Sequence, residues 1–395
     1  MYLIKDKQFK IQLERIAGKG AYDPANGVME RLSNDHSTDI FYPLYIREPF
    51  CIKNKNFIEA IDKKYLKDIK NNKIKLLIVM VTECFDLFET YRWKENRRKK
   101  DIQSIPYYNI ISVLLDNNID LNNVIWLTAL SDTKDDIEFL RKKGIDIKCR
   151  FVHFNFFIEQ QKMIPRDFLP LDNIDKHFSS LAKGTAKHHR FGLMYNLFVE
   201  NLLPYGKVSC LPYNNFVYSG EVTTNETLPN IDTNEYMKKF KNFDVEKLNN
   251  FKKSLPYEVD HLDNGYYPET GHDSKIFKDV FVDIVNETHF TNSKVFITEK
   301  TIKAMHYCRP FIINGDRHSL RYLKSMGFKT FDRWWNEDYD ECITDWERIE
   351  KIIEIVKKLC KIDKKTLSKI YKEMLPIMEH NFNTLKNFKN ENIHS

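Results

Sequence analysis

The sequence predicts an α/β fold laid down twice, as two Rossmann-like halves, and three observations predict it. Apolar runs of strand length alternate with amphipathic stretches of helix length through much of the chain. One of those runs, Ile74 to Val81 (IKLLIVMV), carries its only charge at Lys75, as strands buried on both faces of a parallel sheet do. Near the middle, Ile164 to Leu171 (IPRDFLPL) holds two prolines and reads as a linker. Two such halves facing a cleft would bind ligand at the carboxyl ends of their strands.

In order, residues 56–71 (NFIEAIDKKYLKDIKN) read as one amphipathic helix ahead of the Ile74–Val81 strand. A helix over Tyr107–Leu115 follows, then a strand at Val124–Thr128. A charged helix is expected over Asp135–Lys143, stopped by Gly144, with another strand at Ile145–Phe151. That beat is the one a doubly wound sheet produces. After the linker come a short strand, His177–Leu181, a helix through HHRFGLMYNLFVENL and a strand at Val208–Leu211. Asn225 to Gly271 is polar and turn-rich and yields no assignment. The beat resumes with a strand at Val280–Val285, a helix at Thr298–Cys308 and a strand at Phe311–Asn314. A helix over His318–Met326, stopped by Gly327, leads to a strand at Phe328–Phe331, and helices close the chain over Asp345–Cys360 and Lys365–His380. The domains expected are therefore residues 1–170 and 171–345, with C-terminal helices in 346–395 packing back on them.

Composition narrows the class. The 395 residues are 42% hydrophobic and 13% aromatic, enough for sizeable cores, and with only 12 Gly and 13 Pro a fibrous or repeat protein is not expected. Sixty-two basic residues against 56 acidic give a net charge of +6, which permits an anionic ligand without demanding nucleic acid. The seven cysteines are scattered with no CxxC, so neither a disulfide framework nor a zinc site is expected. MYLIKDKQFKIQ is too charged for a signal peptide, no run reaches the ~18 apolar residues of a membrane span, and a cytoplasmic setting is expected. Abundant Lys, Asn and Ile fit an AT-rich genome such as a phage's.

The most informative stretch is HFTNSKVFITEKTIKAMHYCRPFIING, His289 to Gly315. It reads as a loop, a helix with Thr298, Glu299 and Lys300 at its mouth, and a buried strand. Glu299 can accept hydrogen bonds from ribose hydroxyls. Lys300, with free amides at the helix start, can hold phosphate charge. That pairing points to a nucleoside diphosphate, to a sugar nucleotide and so to glycosyl transfer. The bland alternative is a solvated charge pair at a helix start. Glu287 follows the Val280–Val285 strand directly, where it either binds sugar hydroxyls or caps a loop.

Three segments resemble the α-1,3-fucosyltransferase family and its phage and bacterial relatives. They are HFSSLAKGTAKHHRFGLMYNL, with His189-Arg190 at its helix start, VFITEKTIKAMHYCRPFIING with its Thr-Glu-Lys, and GFKTFDRWWNEDYDE from Gly327. The resemblance implies a GT-B fold, with the sugar nucleotide held mainly by the second domain, and an inverting transfer that needs no metal or other cofactor. Lys183 and Lys187 stand in a loop where that family often has Asn and Arg, so the sugar and base of the donor stay open. Related phage enzymes glycosylate hydroxymethylated pyrimidines in DNA, arabinosyl transfer included. The acceptor implied is double-stranded DNA with such bases, or a glycan.

Each step asks for particular chemistry. The leaving diphosphate needs cations in place beforehand, which Arg190, Lys300 and Lys183 or Lys187 would supply. Inversion needs a base for the acceptor hydroxyl, and Glu83, directly after the Ile74–Val81 strand, is the candidate. The run RWKENRRKK, with Arg92, Arg97 and Arg98 beside Tyr91 and Trp93, would meet acceptor phosphates and bases, unless it is a solvated helix face. The rival enzyme is a retaining GT-B transferase. The rival from another class is a non-catalytic nucleic-acid-binding protein on a Rossmann-like scaffold.

Overall fold

The computed structural model describes residues 2–4, 25, 39–46, 57–81, 106–131, 137–138, 141–142, 148–162, 167–182, 188–210, 217–218, 221–222, 236–257, 259, 274–290 and 294–388. The chain divides into two compact units, residues 1–163 with 389–395, and residues 164–388. Each is α/β and built on a wholly parallel principal sheet.

The first unit contains β1 (Tyr2–Leu3), β2 (Ile40–Tyr45), α1 (Lys63–Lys70), β3 (Lys75–Met80), α2 (Pro106–Asp116), β4 (Val124–Thr128), β5 (Arg150–His153) and α3 (Phe156–Lys162). Its strands lie in the order β1-β2-β3-β4-β5. Among the described strands each connection steps to the next neighbour, so the reversal of a doubly wound sheet is absent here. β4 is buried throughout and β3 from Leu76 onward, as their unbroken apolar runs require. Leu76, Ile78, Met80, Ile110, Leu114 and Trp126 share one core, with Trp126 stacked on Phe151 at 5.6 Å.

Three expectations change in this unit. The single helix over 56–71 is a 3-10 turn, Phe57–Ala60, followed by α1. Asp62 separates them because its side chain accepts from the Lys64 amide and starts a new helix. The strand expected over Ile145–Phe151 runs over Arg150–His153 instead, and most of the Asp135–Lys143 helix lies outside the described residues. Strand β2 carries no sequence signal because Pro43 interrupts IFYPLY. Ile46 donates to Val79 of the β3 side and Phe41 accepts from Ile4 of the β1 side. By alternation Pro43 turns its missing donor away from β3 and toward the two-residue β1, whose pairing with β2 ends at Phe41.

The second unit contains β6 (Lys176–Ala182), α4 (His188–Val199), β7 (Gly206–Cys210), the antiparallel pair β8 (Val217–Tyr218) and β9 (Glu221–Val222), α5 (Val245–Ser254), β10 (Val280–Asn286), α6 (Glu299–His306), β11 (Phe311–Asn314), α7 (Ser319–Ser325), α8 (Asp345–Leu359) and α9 (Lys364–Lys386). Helix α5, inside the stretch that gave no pattern, is capped by Asp244 accepting from the Lys247 amide. The main sheet has the order β11-β10-β6-β7. The chain thus starts at β6, steps one way to β7, then returns to the other side for β10 and β11. That reversal, between β6 and β10, is where open α/β sheets bind ligands.

The strand expected at Phe328–Phe331 is not one. Its backbone is bonded by side chains rather than a ladder: Asn381 of α9 accepts from the Lys329 amide (2.7 Å) and donates to the Lys329 carbonyl (2.8 Å). Glu337 accepts from the Phe331 amide and the Thr330 hydroxyl. Helix α9 runs past its expected end and through Pro376, because its apolar face continues over Met378, Phe382 and Leu385. Both C-terminal helices belong to this unit, α8 packing on α4 and α9 on α6. Among the described residues no helix is long and apolar enough to cross a membrane.

Candidate functional site

The carboxyl ends of β6, β10 and β11 are tied together by buried amides. Asn286, the last residue of β10, donates to Ser180 of β6 (2.9 Å) and accepts from Asn314 of β11 (2.8 Å). Asn314 also donates to the His189 carbonyl in the first turn of α4 (3.4 Å). These bonds bring the start of α4 to the strand ends at the reversal point.

The next residue, Glu287, is fully buried and ties the end of β10 to two helices. Its carbonyl accepts from His189 Nε2 (3.0 Å) and from Arg190 Nε (3.2 Å) and Nη2 (2.8 Å). A carbonyl only accepts, so His189 carries its proton on Nε2. The Glu287 carboxylate accepts four more bonds. Oε1 takes the Thr298 amide (3.1 Å) and the Thr301 hydroxyl (2.6 Å), and Oε2 takes the Thr298 hydroxyl (2.5 Å) and the Thr288 amide (3.2 Å). Of the two roles open to Glu287 from sequence, the carboxylate therefore occupies the capping one, joining the end of β10 to the mouth of α6. A negative charge at that mouth also suits the helix dipole. Gly315 makes room for it: a Cβ there would lie 2.9 Å from Glu287 Cβ and 3.0 Å from Ile313 Cγ2.

The mouth of α6 differs from its sequence reading in one respect. The amides expected to be free for phosphate are partly taken. The Thr298 amide is bonded to Glu287, and the Lys300 amide points to the Thr298 hydroxyl (3.4 Å). The side chains carry the charge instead. Lys300 Nζ donates to Glu299 Oε1 (2.8 Å), Thr288 Oγ1 (3.1 Å) and Thr298 Oγ1 (3.3 Å), with 30% of its side chain exposed. Burial acts to raise the Glu299 pKa, but the charges of Lys300 and Lys303 outweigh it and hold the carboxyl down at about 2. Glu299 is therefore an ionised acceptor at neutral pH.

Arg190 and Lys300 are thus anchored on adjacent residues, Glu287 and Thr288, from two different helices. Burial lowers the Arg190 pKa, opposed by the charges of Glu287 and Glu299, and a guanidinium so placed stays cationic. Its Nε and Nη2 are committed to the Glu287 carbonyl. The described charges nearly balance: Arg190, Lys300 and Lys303 face Glu287 and Glu299. A phosphate-bearing ligand would tip that balance and calls for further cations.

Lys183 and Lys187, the candidates for those cations, lie outside the described residues; the described residues that flank their loop are Ala182, which ends β6, and His188, which starts α4. Glu83, Arg92, Arg97 and Arg98 also lie outside the described residues. Of the remaining donor candidates, the structure brings together Arg190, Glu287, Thr298, Glu299 and Lys300. Sequence reasoning missed Thr301, Asn286 and Asn314. The asparagines ending two apolar runs (VFVDIVN and FIIN) are the signal that would have found them, since a buried strand end has little other use for an amide.

A cavity of about 840 Å³ opens elsewhere in this unit, lined by Glu200, Lys241, Glu341, Glu350 and Lys357 among others. It offers six carboxylates and three lysines, most of them paired with one another, and shares no residue with the strand-end cluster. Convergent donors and topology point to the reversal point instead, and these bear on chemistry more directly than a cavity does. Among the described residues, no three His, Cys, Asp or Glu side chains are grouped to hold a metal ion. Compared with known proteins, the chain matches no protein-family model and no curated protein sequence.

Proposed function

We propose that the second unit binds a nucleoside diphosphate sugar and that the protein is a glycosyltransferase of the GT-B kind, transferring the sugar with inversion to a hydroxyl acceptor. The reading rests on one observation above others. Arg190 from α4 and Lys300 from α6 are both fastened to the Glu287–Thr288 pair at the sheet's reversal point. In this reading the diphosphate takes Lys300 from its internal partners and lies against Arg190, with Lys183 and Lys187 completing the neutralisation. Side chains, rather than a metal, then meet the charge that develops on the leaving group. Glu299, ionised and released from Lys300, accepts from the ribose hydroxyls. Glu83 deprotonates the acceptor, and Arg92, Arg97 and Arg98 steer it, a hydroxymethylated pyrimidine in DNA or a glycan.

The test is thermal shift with a panel of UDP and GDP compounds, followed by titration of the one that stabilises. Lys300→Ala is expected to weaken that nucleotide roughly tenfold or more, the usual scale for a charged hydrogen bond. Unchanged affinity removes Lys300 from the site. Glu83→Gln is expected to leave donor binding intact while turnover falls by about 100-fold. A wild-type protein that ignores every nucleotide yet binds oligonucleotides with steep salt dependence is a nucleic-acid-binding protein and not a transferase.

A further inference from the structure

We propose that Arg348, on helix α8, is a positioning residue that fixes the guanidinium of Arg190. Arg348 is 1% exposed. It donates to the carbonyls of Gly315, just past β11, and of Cys342. Its guanidinium carbon lies 4.7 Å from the Phe290 ring centroid. Phe290 in turn is stacked on the His189 ring, with centroids 4.6 Å apart and planes within 2°. His189 Nε2 then donates to the Glu287 carbonyl, the same oxygen that takes Nε and Nη2 of Arg190.

These contacts form one column, from Arg348 through Phe290 and His189 to the Glu287 carbonyl. Two bonds from one fork to one oxygen leave the Arg190 plane little freedom, so the position of that oxygen sets where its remaining edge points. The turn that carries the oxygen, residues 287–290, is held at its far end by Phe290. Phe290 has the cation of Arg348 on its ring, an attraction strengthened by the burial of Arg348. Burial lowers the Arg348 pKa, but Asp316, Asp340 and Asp345 oppose it. Removing the guanidinium frees Phe290, then the His189 ring, then the carbonyl. The consequence for an anion rests on the function proposed above; the placement of Arg190 does not.

The direct readout is hydrogen exchange of the Arg190 Nε–H in the ligand-free protein, followed by NMR of labelled arginine. Arg348→Met is expected to speed that exchange roughly tenfold, the effect of losing a desolvated cation–π contact. Asn381→Ala, which weakens the same unit at residues 328–331, serves as the control and is expected to leave the exchange unchanged. No acceleration in a folded Arg348→Met protein, or equal acceleration in both variants, overturns the proposal. Should Arg348→Met not fold, Phe290→Leu keeps both Arg348 bonds while removing the stack, and the same readout applies. In a second arm, inorganic pyrophosphate is titrated into wild type, Arg348→Met, Arg190→Ala and the double variant. If Arg348 acts through Arg190, its substitution weakens binding in the wild-type background and adds nothing in Arg190→Ala. Additive losses overturn the positioning role. A wild type that binds no pyrophosphate counts against the proposed function, and the exchange arm then still decides the role of Arg348.

Discussion

Glu287→Gln separates a buried cap from a ligand-binding carboxylate. The substitution keeps shape and volume and changes only what the two distal atoms can do. In the native protein both oxygens accept, and each faces one backbone amide, Thr298 on Oε1 and Thr288 on Oε2. The threonine hydroxyls can turn to suit a new partner, but an amide N–H cannot accept. Whichever way the glutamine amide is flipped, its NH2 group meets a backbone donor. One buried N–H is left unmatched, which costs about 1–3 kcal/mol, and the remaining bonds lose their ionic character. A total near 3 kcal/mol follows, and for a unit of this size it lowers Tm by roughly 6–12 °C. Thermal unfolding at pH 7, monitored by circular dichroism, is the assay. A variant melting within about 2 °C of wild type would show that the carboxylate is not an essential cap, and the account of the α6 mouth would fall with it.

Other expectations arise from the same interior. Burial pushes the Asp283 carboxyl, bonded to Ser179, up to about 7 despite Lys303 and Arg309 nearby. The folded state then keeps a proton that the unfolded chain releases near pH 4, so Asp283 costs stability as pH rises from about 4 to 7, on the order of 4 kcal/mol in all. Asp283→Asn is expected to grow more stable relative to wild type across that window in urea titrations at pH 4.5, 6 and 7.5; parallel profiles for the two proteins would refute it. Gly315→Ala presses a methyl against Glu287 and Ile313 and is expected to cost about 1–3 kcal/mol in urea unfolding. Asn381→Ala strips the Lys329 amide and carbonyl of their partners and is expected to cost a similar amount, about 1–3 kcal/mol, by the same measurement.

Much of the strand framework is legible because strands buried on both faces must be apolar throughout. Val124–Thr128 and Phe311–Asn314 fall where their runs predict, and Val280–Asn286 extends its run by one residue. Local caps are open to a short spacing rule, although none of these three was assigned from sequence: Asp62, Asp244 and Asp363 each bond an amide two or three residues away. Caps from a distance are not. Glu287 serves α6 from eleven residues upstream, and Asp340 serves the amides of Leu320 and Arg321 at the start of α7 from about twenty residues downstream. No short spacing rule could reveal either. The Phe328–Phe331 misreading has the same origin, because its apolar alternation suits a strand while Asn381, some fifty residues on, supplies the backbone partners.

The α6 mouth departs from the chemistry that its motif suggests. Thr298-Glu299-Lys300 suggests an anion held by free helix amides, yet the protein's own carboxylate, Glu287, already fills part of that role. An external anion would therefore meet the ammonium of Lys300 and the guanidinium of Arg190 rather than the bare helix end. Both cations are fastened beside the internal anion, one to the Glu287 carbonyl and one to the Thr288 hydroxyl. The Glu287 carboxylate thus fixes the helix mouth, while its carbonyl and the Thr288 hydroxyl hold two positive groups at the carboxyl end of the sheet. A helix end alone would bind phosphate weakly and without register; two side-chain cations set from different helices can hold it in one orientation. The inverting transfer proposed above would need that orientation, because in it the acceptor attacks opposite the leaving group.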